Sequence, residues 1–246
     1  MKRALVLLLL AGCRVELKSP VGGACDAEHP CPAGACVGGV CREGSGGGGE
    51  CPASDAGVAL VWSQCTDGFD VERAGTGTLD VGAENVVSAA LSAASTDGPT
   101  AEAAVPVPLA GFRFRGVLEV KAPFDPQERV SLMSVRAQGT PVLEVLSDEG
   151  QRLSVEVQPG ALGATQSAGA VMGSALAPGT YFVELSWQRG AAAVLFSNGV
   201  EVQRVSASGA APSMVQADAV RLGVQSLEAG GNPVSIAWSR AELLGR

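Results

Sequence analysis

From about Leu60 to Arg246 apolar and polar side chains alternate with a period of two, and helical periodicity is almost absent. Phe112, Phe114, Val117 and Val120 lie in an extended run ending at Pro123, and Val130, Leu132 and Val135 lie in the next. Val142 to Leu146 and Leu153 to Val157 predict a hairpin around Asp148-Glu149-Gly150. Tyr181, Val183, Leu185 and Trp187 alternate with Phe182, Glu184 and Ser186, which places one set inward and the other outward. Ala192 to Phe196 and Val200 to Val205 flank Asn198-Gly199, a dipeptide suited to the two positive φ angles of a type I′ turn. Arg221 to Gln225 and Val234 to Leu244 complete the set, while Ala83 to Ser95 suits either a strand or a short helix. Roughly a dozen short strands in one domain predict an all-β, two-sheet sandwich rather than a small barrel.

The first residues break this pattern. Lys2-Arg3, the apolar run Ala4 to Leu10, and Ala11-Gly12-Cys13 read as a bacterial lipoprotein signal. The run is too short for a bilayer core of roughly 30 Å. Residues 1–12 are therefore expected to be removed and Cys13 to be acylated, tethering the protein to the cell envelope through its lipid. Arg14, in place of an Asp after the cysteine, favours the outer membrane.

Lipidation also resolves the cysteine parity. Of seven cysteines, removing Cys13 leaves Cys25, Cys31, Cys36, Cys41, Cys51 and Cys65, all before residue 66. An exported chain meets an oxidising compartment, so three disulfides are expected, with connectivity open. Zinc is the alternative for the thiols, but close C-x2-C pairs are missing. The expected organisation is a signal at 1–12, a tether at 13–24, a cysteine-rich module at 25–43, a Gly-rich linker at 44–50 and the sandwich at 51–246. A Cys51 to Cys65 bridge would close a loop around Val58 to Trp62, worth roughly 3 kcal/mol by chain entropy. Residues 66–246, which contain all the proposed sheet strands and no cysteine, are expected to fold without the cysteine-rich module.

Net charge is -8, from 17 basic and 25 acidic residues, and loss of Lys2 and Arg3 with the signal makes it -10. That balance disfavours nucleic acid, whose binding needs clustered Lys and Arg against phosphates.

Two resemblances add to this reading. The C-x5-C-x4-C-x4-C run from Cys25 to Cys41 resembles small epidermal-growth-factor-like repeats, which implies pairing of Cys25 with Cys36 and Cys31 with Cys41. Asp67-Gly68-Phe69-Asp70, Pro178 to Trp187, Val194 to Val202 with its Asn-Gly turn, Val220 to Gly223 and Ile236 to Ser239 resemble the concanavalin A-like lectin/glucanase superfamily, laminin-G-like branch. The resemblance implies a jelly roll over nearly all of residues 66–246. It carries no catalytic residue.

The superfamily's glucanases carry E-x-D-x-E, which is missing here. Asp70 and Glu72 lack a third carboxylate, and Glu144, Asp148 and Glu149 have the wrong spacing and read as a solvated turn. His29 is the only histidine and G-x-S-x-G does not occur. The chain is accordingly expected not to be an enzyme and to need no cofactor. Calcium enters only through the resemblance, with Asp67, Asp70, Asn85, Asp97, Asp148 and Asn232 as dispersed oxygen ligands. Trp187 and Trp238 read as core rather than sugar-stacking residues, and Trp62 as packing beside the Cys65 bridge. The expected function is a tethered module binding a glycan or an envelope protein through a concave face or rim loops. The alternative is a structural or assembly protein of the envelope.

Overall fold

The structure, a computed structural model, describes residues 35–37, 40–42, 59–92, 95–109, 111–124, 129–148, 151–158, 165–208, 217–227 and 233–245. The leader, Cys13, Cys25, His29, Cys31, the linker, Cys51, Glu149 and Asn232 lie outside them. Two compact units divide at the glycine run, Met1–Gly44 and Ser45–Arg246. In the first, β1 (Ala35–Val37) and β2 (Val40–Arg42) form a hairpin in which Cys36 stands opposite Cys41.

The second unit is a two-sheet antiparallel jelly-roll sandwich. Its strands are β3 (Ala59–Ser63), β4 (Val71–Arg73), β5 (Thr78–Val81), β6 (Val87–Leu91), β7 (Thr100–Leu109), β8 (Gly111–Val120), β9 (Val130–Ala137) and β10 (Thr140–Asp148). They continue with β11 (Arg152–Val157), β12 (Thr165–Ala168), β13 (Gly179–Gln188), β14 (Ala192–Ser197), β15 (Val200–Ser208), β16 (Ala217–Leu227) and β17 (Val234–Gly245). One sheet of six strands runs β11-β10-β9-β16-β7-β4. The other, of nine, runs β12-β15-β14-β13-β8-β17-β6-β5, with β3 also paired to β17.

The alternation does what a period of two requires. Phe112, Phe114, Leu118 and Val120 of β8, with Val183, Leu185 and Trp187 of β13, are buried against Met133, Val135, Leu143, Val145, Val220 and Leu222 of the facing sheet. Asn198 and Gly199 have φ of 51° and 81°, and Gln138-Gly139 repeats that geometry at the β9–β10 turn with 50° and 77°. The ambiguous stretch after Ala83 resolves into a 3-10 turn at Ala83–Asn85 followed by β6.

The expectation that residues 66–246 hold the whole sheet is corrected. β3 pairs Ser63 with Glu242 and Trp62 with Leu243, and Trp62 is buried. Gln64, wholly buried, donates from Nε2 to the carbonyls of Asn85 (2.5 Å) and Trp238 (2.9 Å) and accepts from the Ala241 amide at 2.8 Å. A buried amide so satisfied belongs to the core. Cys65 beside it is disulfide-bonded.

Candidate functional site

On the six-stranded sheet the side chains opposite the core set form a continuous row. The register places Glu156, Glu144, Ser134, Arg221, Glu102 and Val71 side by side on β11, β10, β9, β16, β7 and β4. Successive rungs are about 4.8 Å apart.

The row is most charged where β9, β16 and β7 meet. Arg221 grips Oε2 of Glu102 from Nε at 2.7 Å and Nη2 at 2.5 Å. Arg136 brings Nε to 3.8 Å from the same oxygen, beyond hydrogen-bond reach, while its Nη2 donates to the Gly139 carbonyl. The side chains of Arg136, Arg221 and Glu102 are 13%, 18% and 24% exposed, so these charges are partly withdrawn from water. Burial first, then Arg221 and more weakly Arg73, pull the Arg136 guanidinium below its ordinary value, against the opposing pull of Glu102 and Glu144. Two guanidinium groups, of Arg136 and Arg221, thus bear on one site with Glu102 as its central carboxylate.

Beside the cluster the floor is small and polar. Ser134 donates to Gln225 Oε1 at 2.7 Å and Ser131 to Glu144 Oε1 at 2.9 Å. Ser131, Ser134 and Gln225 are buried, and Gln225 Nε2 has no partner. Gln225 reaches this position because β16 bulges between Leu222 and Ser226. Gly223 makes the bulge possible: its φ is +125°, and a Cβ there would lie 2.3 Å from the Pro99 carbonyl oxygen, which already accepts the Val224 amide at 3.0 Å.

The residues singled out from sequence are redistributed. Glu144, expected at a solvated turn, sits within β10 and joins the site. Asp70 precedes β4 and accepts the Ala104 amide at 2.7 Å, while Glu72 is exposed on that short edge strand. Asp67 accepts the Ser63 amide at 2.7 Å, and Asn85 donates to the Gln64 carbonyl at 2.8 Å, so both brace the start of the sandwich. Among the described residues no group of three or more His, Cys, Asp or Glu could hold a metal ion. Trp187 and Trp238 are core, packed on Phe112 and Phe114 at 5.3 and 5.7 Å, and Trp62 packs on Phe69 at 5.6 Å.

Sequence reasoning missed Arg136, Arg221 and Glu102. Their signal was available: each is the charged member of an alternating run, Val135-Arg136, Val220-Arg221-Leu222 and Ala101-Glu102-Ala103. The register that gathers them was not.

A second polar set lies on the outward side of the nine-stranded sheet. Arg115 donates to Glu242 at 2.8 Å with the two side chains only 4% and 1% exposed, and Arg113 pairs with Glu184 at 2.6 Å. Paired and shielded, these groups read as structure.

No family model matches the chain, and no curated protein matches it in sequence. Solved structures do resemble it. The endo-β-1,4-glucuronan lyase of the fungus Trichoderma reesei superposes with a TM-score of 0.51 at 10% identity, over 76% of this chain and 96% of the lyase. Alginate lyase AlgAT5 from polysaccharide lyase family 7 gives 0.47 at 11% identity, over 76% and 92% of the two chains. The binding domain of botulinum neurotoxin serotype D/C gives 0.46 at 9% identity, over 75% and 48%. The first of these overturns the expectation that the chain is not an enzyme. That expectation rested on the absence of the three-carboxylate E-x-D-x-E motif, on a single histidine and on the absence of G-x-S-x-G, all of them marks of hydrolysis, whereas a lyase cleaves by elimination. At these identities the likeness is one of fold, and it makes the chain a jelly-roll sandwich similar in architecture to a polysaccharide lyase.

Proposed function

We propose that the protein handles acidic polysaccharides, engaging a uronate carboxylate with the guanidinium cluster on the six-stranded sheet. The observation that carries this is the convergence of Arg136 and Arg221 on Glu102, with Arg136 Nε lacking a hydrogen-bond partner. A planar guanidinium matches a carboxylate by two parallel N–H donors, and partial burial strengthens the contact. The polymer named for the fungal lyase, a glucuronan, is of this chemical class. The overall charge of -8 does not oppose it, because repulsion from distant carboxylates is screened beyond about 8 Å at physiological salt while the cluster acts in contact.

The reading extends to location. Acylation at Cys13 would hold the sandwich at the bacterial envelope, where acidic glycans are within reach, and the lipid would make the membrane its first partner.

Affinity electrophoresis of the whole protein through polyglucuronate, with a neutral β-glucan as control, tests the proposal. Retention by the polyuronate alone, reduced at least about tenfold in Arg136→Gln or Arg221→Gln, is the expected result. The same incubation is read for ultraviolet absorbance from an unsaturated uronate, whose appearance identifies a lyase and whose absence a binding module. Equal mobility in both polymers would reject the proposal.

A further inference from the structure

At the β11 end of the charged row the edge of the six-stranded sheet meets β12 and β15 of the other sheet, and a cleft of about 300 Å³ opens there. Val155, Val157 and Val205 give it an apolar wall, and Ser154, Gln166 and Gln203 a polar one. Gln203 is held by accepting the Val155 amide at 2.6 Å, and Gln166 by donating to the Gln158 carbonyl at 2.9 Å. Ser154 is 3% exposed and its hydroxyl has no hydrogen-bond partner. A buried hydroxyl without a partner costs about 1 to 3 kcal/mol, so its retention beside a cleft points to a ligand that satisfies it.

The cleft continues the row. Glu156 is both its lining residue and the last rung, two strands from Ser134 and three from Arg221, or about 10 to 15 Å from the cluster. An extended 1,4-linked glycan advances by close to one rung per sugar, so a chain with one residue at the arginines sets another in the cleft two or three residues on. The charged residues lining the cleft are Asp148 and Glu156, both acidic, and Glu156 is already paired with Arg129. Among the described residues the lining holds no guanidinium or ammonium group with which a carboxylated sugar could pair. An apolar wall facing hydroxyl and amide groups suits instead the two sides of an uncharged pyranose ring.

We infer that this cleft is a subsite for an uncharged sugar residue, and that the preferred ligand is a glycan in which carboxylated residues are interspersed with uncharged ones. The inference rests on the proposed reading of the arginine cluster.

The test compares two hexasaccharides by calorimetry on the whole protein, one of glucuronate only and one alternating glucuronate with an N-acetylhexosamine. The alternating oligomer should bind about tenfold more tightly. Ala168→Trp places an indole in the cleft from an exposed edge position and should erase that advantage while leaving the glucuronate oligomer's affinity unchanged. Ser154→Ala should lower the alternating oligomer's affinity about fivefold and, by removing an unsatisfied hydroxyl, leave the melting temperature equal or higher. Equal affinities in the wild type, or an Ala168→Trp protein that keeps the preference, would overturn the subsite while the arginine reading stands. If neither oligomer binds, both readings fall.

Discussion

Replacing Trp238 by Phe separates a structural tryptophan from a sugar-stacking one. Trp238 is fully buried on β17, and its indole Nε1 donates across the sandwich to the Leu132 carbonyl at 3.0 Å. Leu132 needs that donor. Both strands beside β9 slip register at this residue, between Val145 and Leu146 on β10 and between Leu222 and Ser226 on β16, so Leu132 has no partner in either ladder. Phenylalanine removes the donor to this buried carbonyl, about 1 to 3 kcal/mol, and gives up part of the ring's burial, about 1 to 2 kcal/mol. The expected loss is about 3 kcal/mol, or a fall in Tm of about 6 to 12 °C for a domain of this size. Trp187→Phe is the control: Trp187 is buried on Phe112 without a cross-sheet bond and should lose only the packing part. Urea denaturation followed by circular dichroism measures both, with m unchanged. Losses equal within about 0.5 kcal/mol would refute the role given to the cross-sheet bond. A loss of polyuronate retention in a folded Trp238→Phe protein would refute the assignment of Trp238 to the core alone.

Further outcomes follow from the same geometry. Gln64→Leu leaves the carbonyls of Asn85 and Trp238 and the Ala241 amide unpartnered and should cost at least about 3 kcal/mol by urea titration; for the same reason a fragment of residues 66–246 should melt well below one that begins at Ser45. Gly223→Ala, which drives a Cβ into the Pro99 carbonyl, should cost at least about 2 kcal/mol and weaken polyuronate retention together, since the bulge it supports positions Gln225. Glu242→Gln, removing half of a buried ion pair, should cost about 3 to 5 kcal/mol without altering retention in the folded fraction. Cys13→Ser should shift the protein from the membrane fraction to the soluble one and raise its mobility by loss of lipid, and continued membrane fractionation would reject acylation.

The period-two alternation by itself determined most of the strands, because the inward and outward faces of a half-buried strand demand opposite chemistry residue by residue. β8, β13 and the β14–β15 hairpin with its Asn-Gly turn were all readable in this way. β7 was not: Ala101 and Ala103 fill its inward positions with side chains too small to mark a hydrophobic face, and it carries Glu102. β3 was underweighted because its five residues are bound to the body through pairing with β17, a contact between the two ends of the domain that no local pattern encodes. The site was legible only as separate outward charges. Arg136, Arg221 and Glu102 come from strands far apart in sequence, and only the order β9-β16-β7, with a bulge whose glycine yields to Pro99, brings them onto one patch. Alternation fixes which way a side chain points, whereas which side chain stands beside it is set by strand order and register, and those are decided by the packing of the whole sandwich.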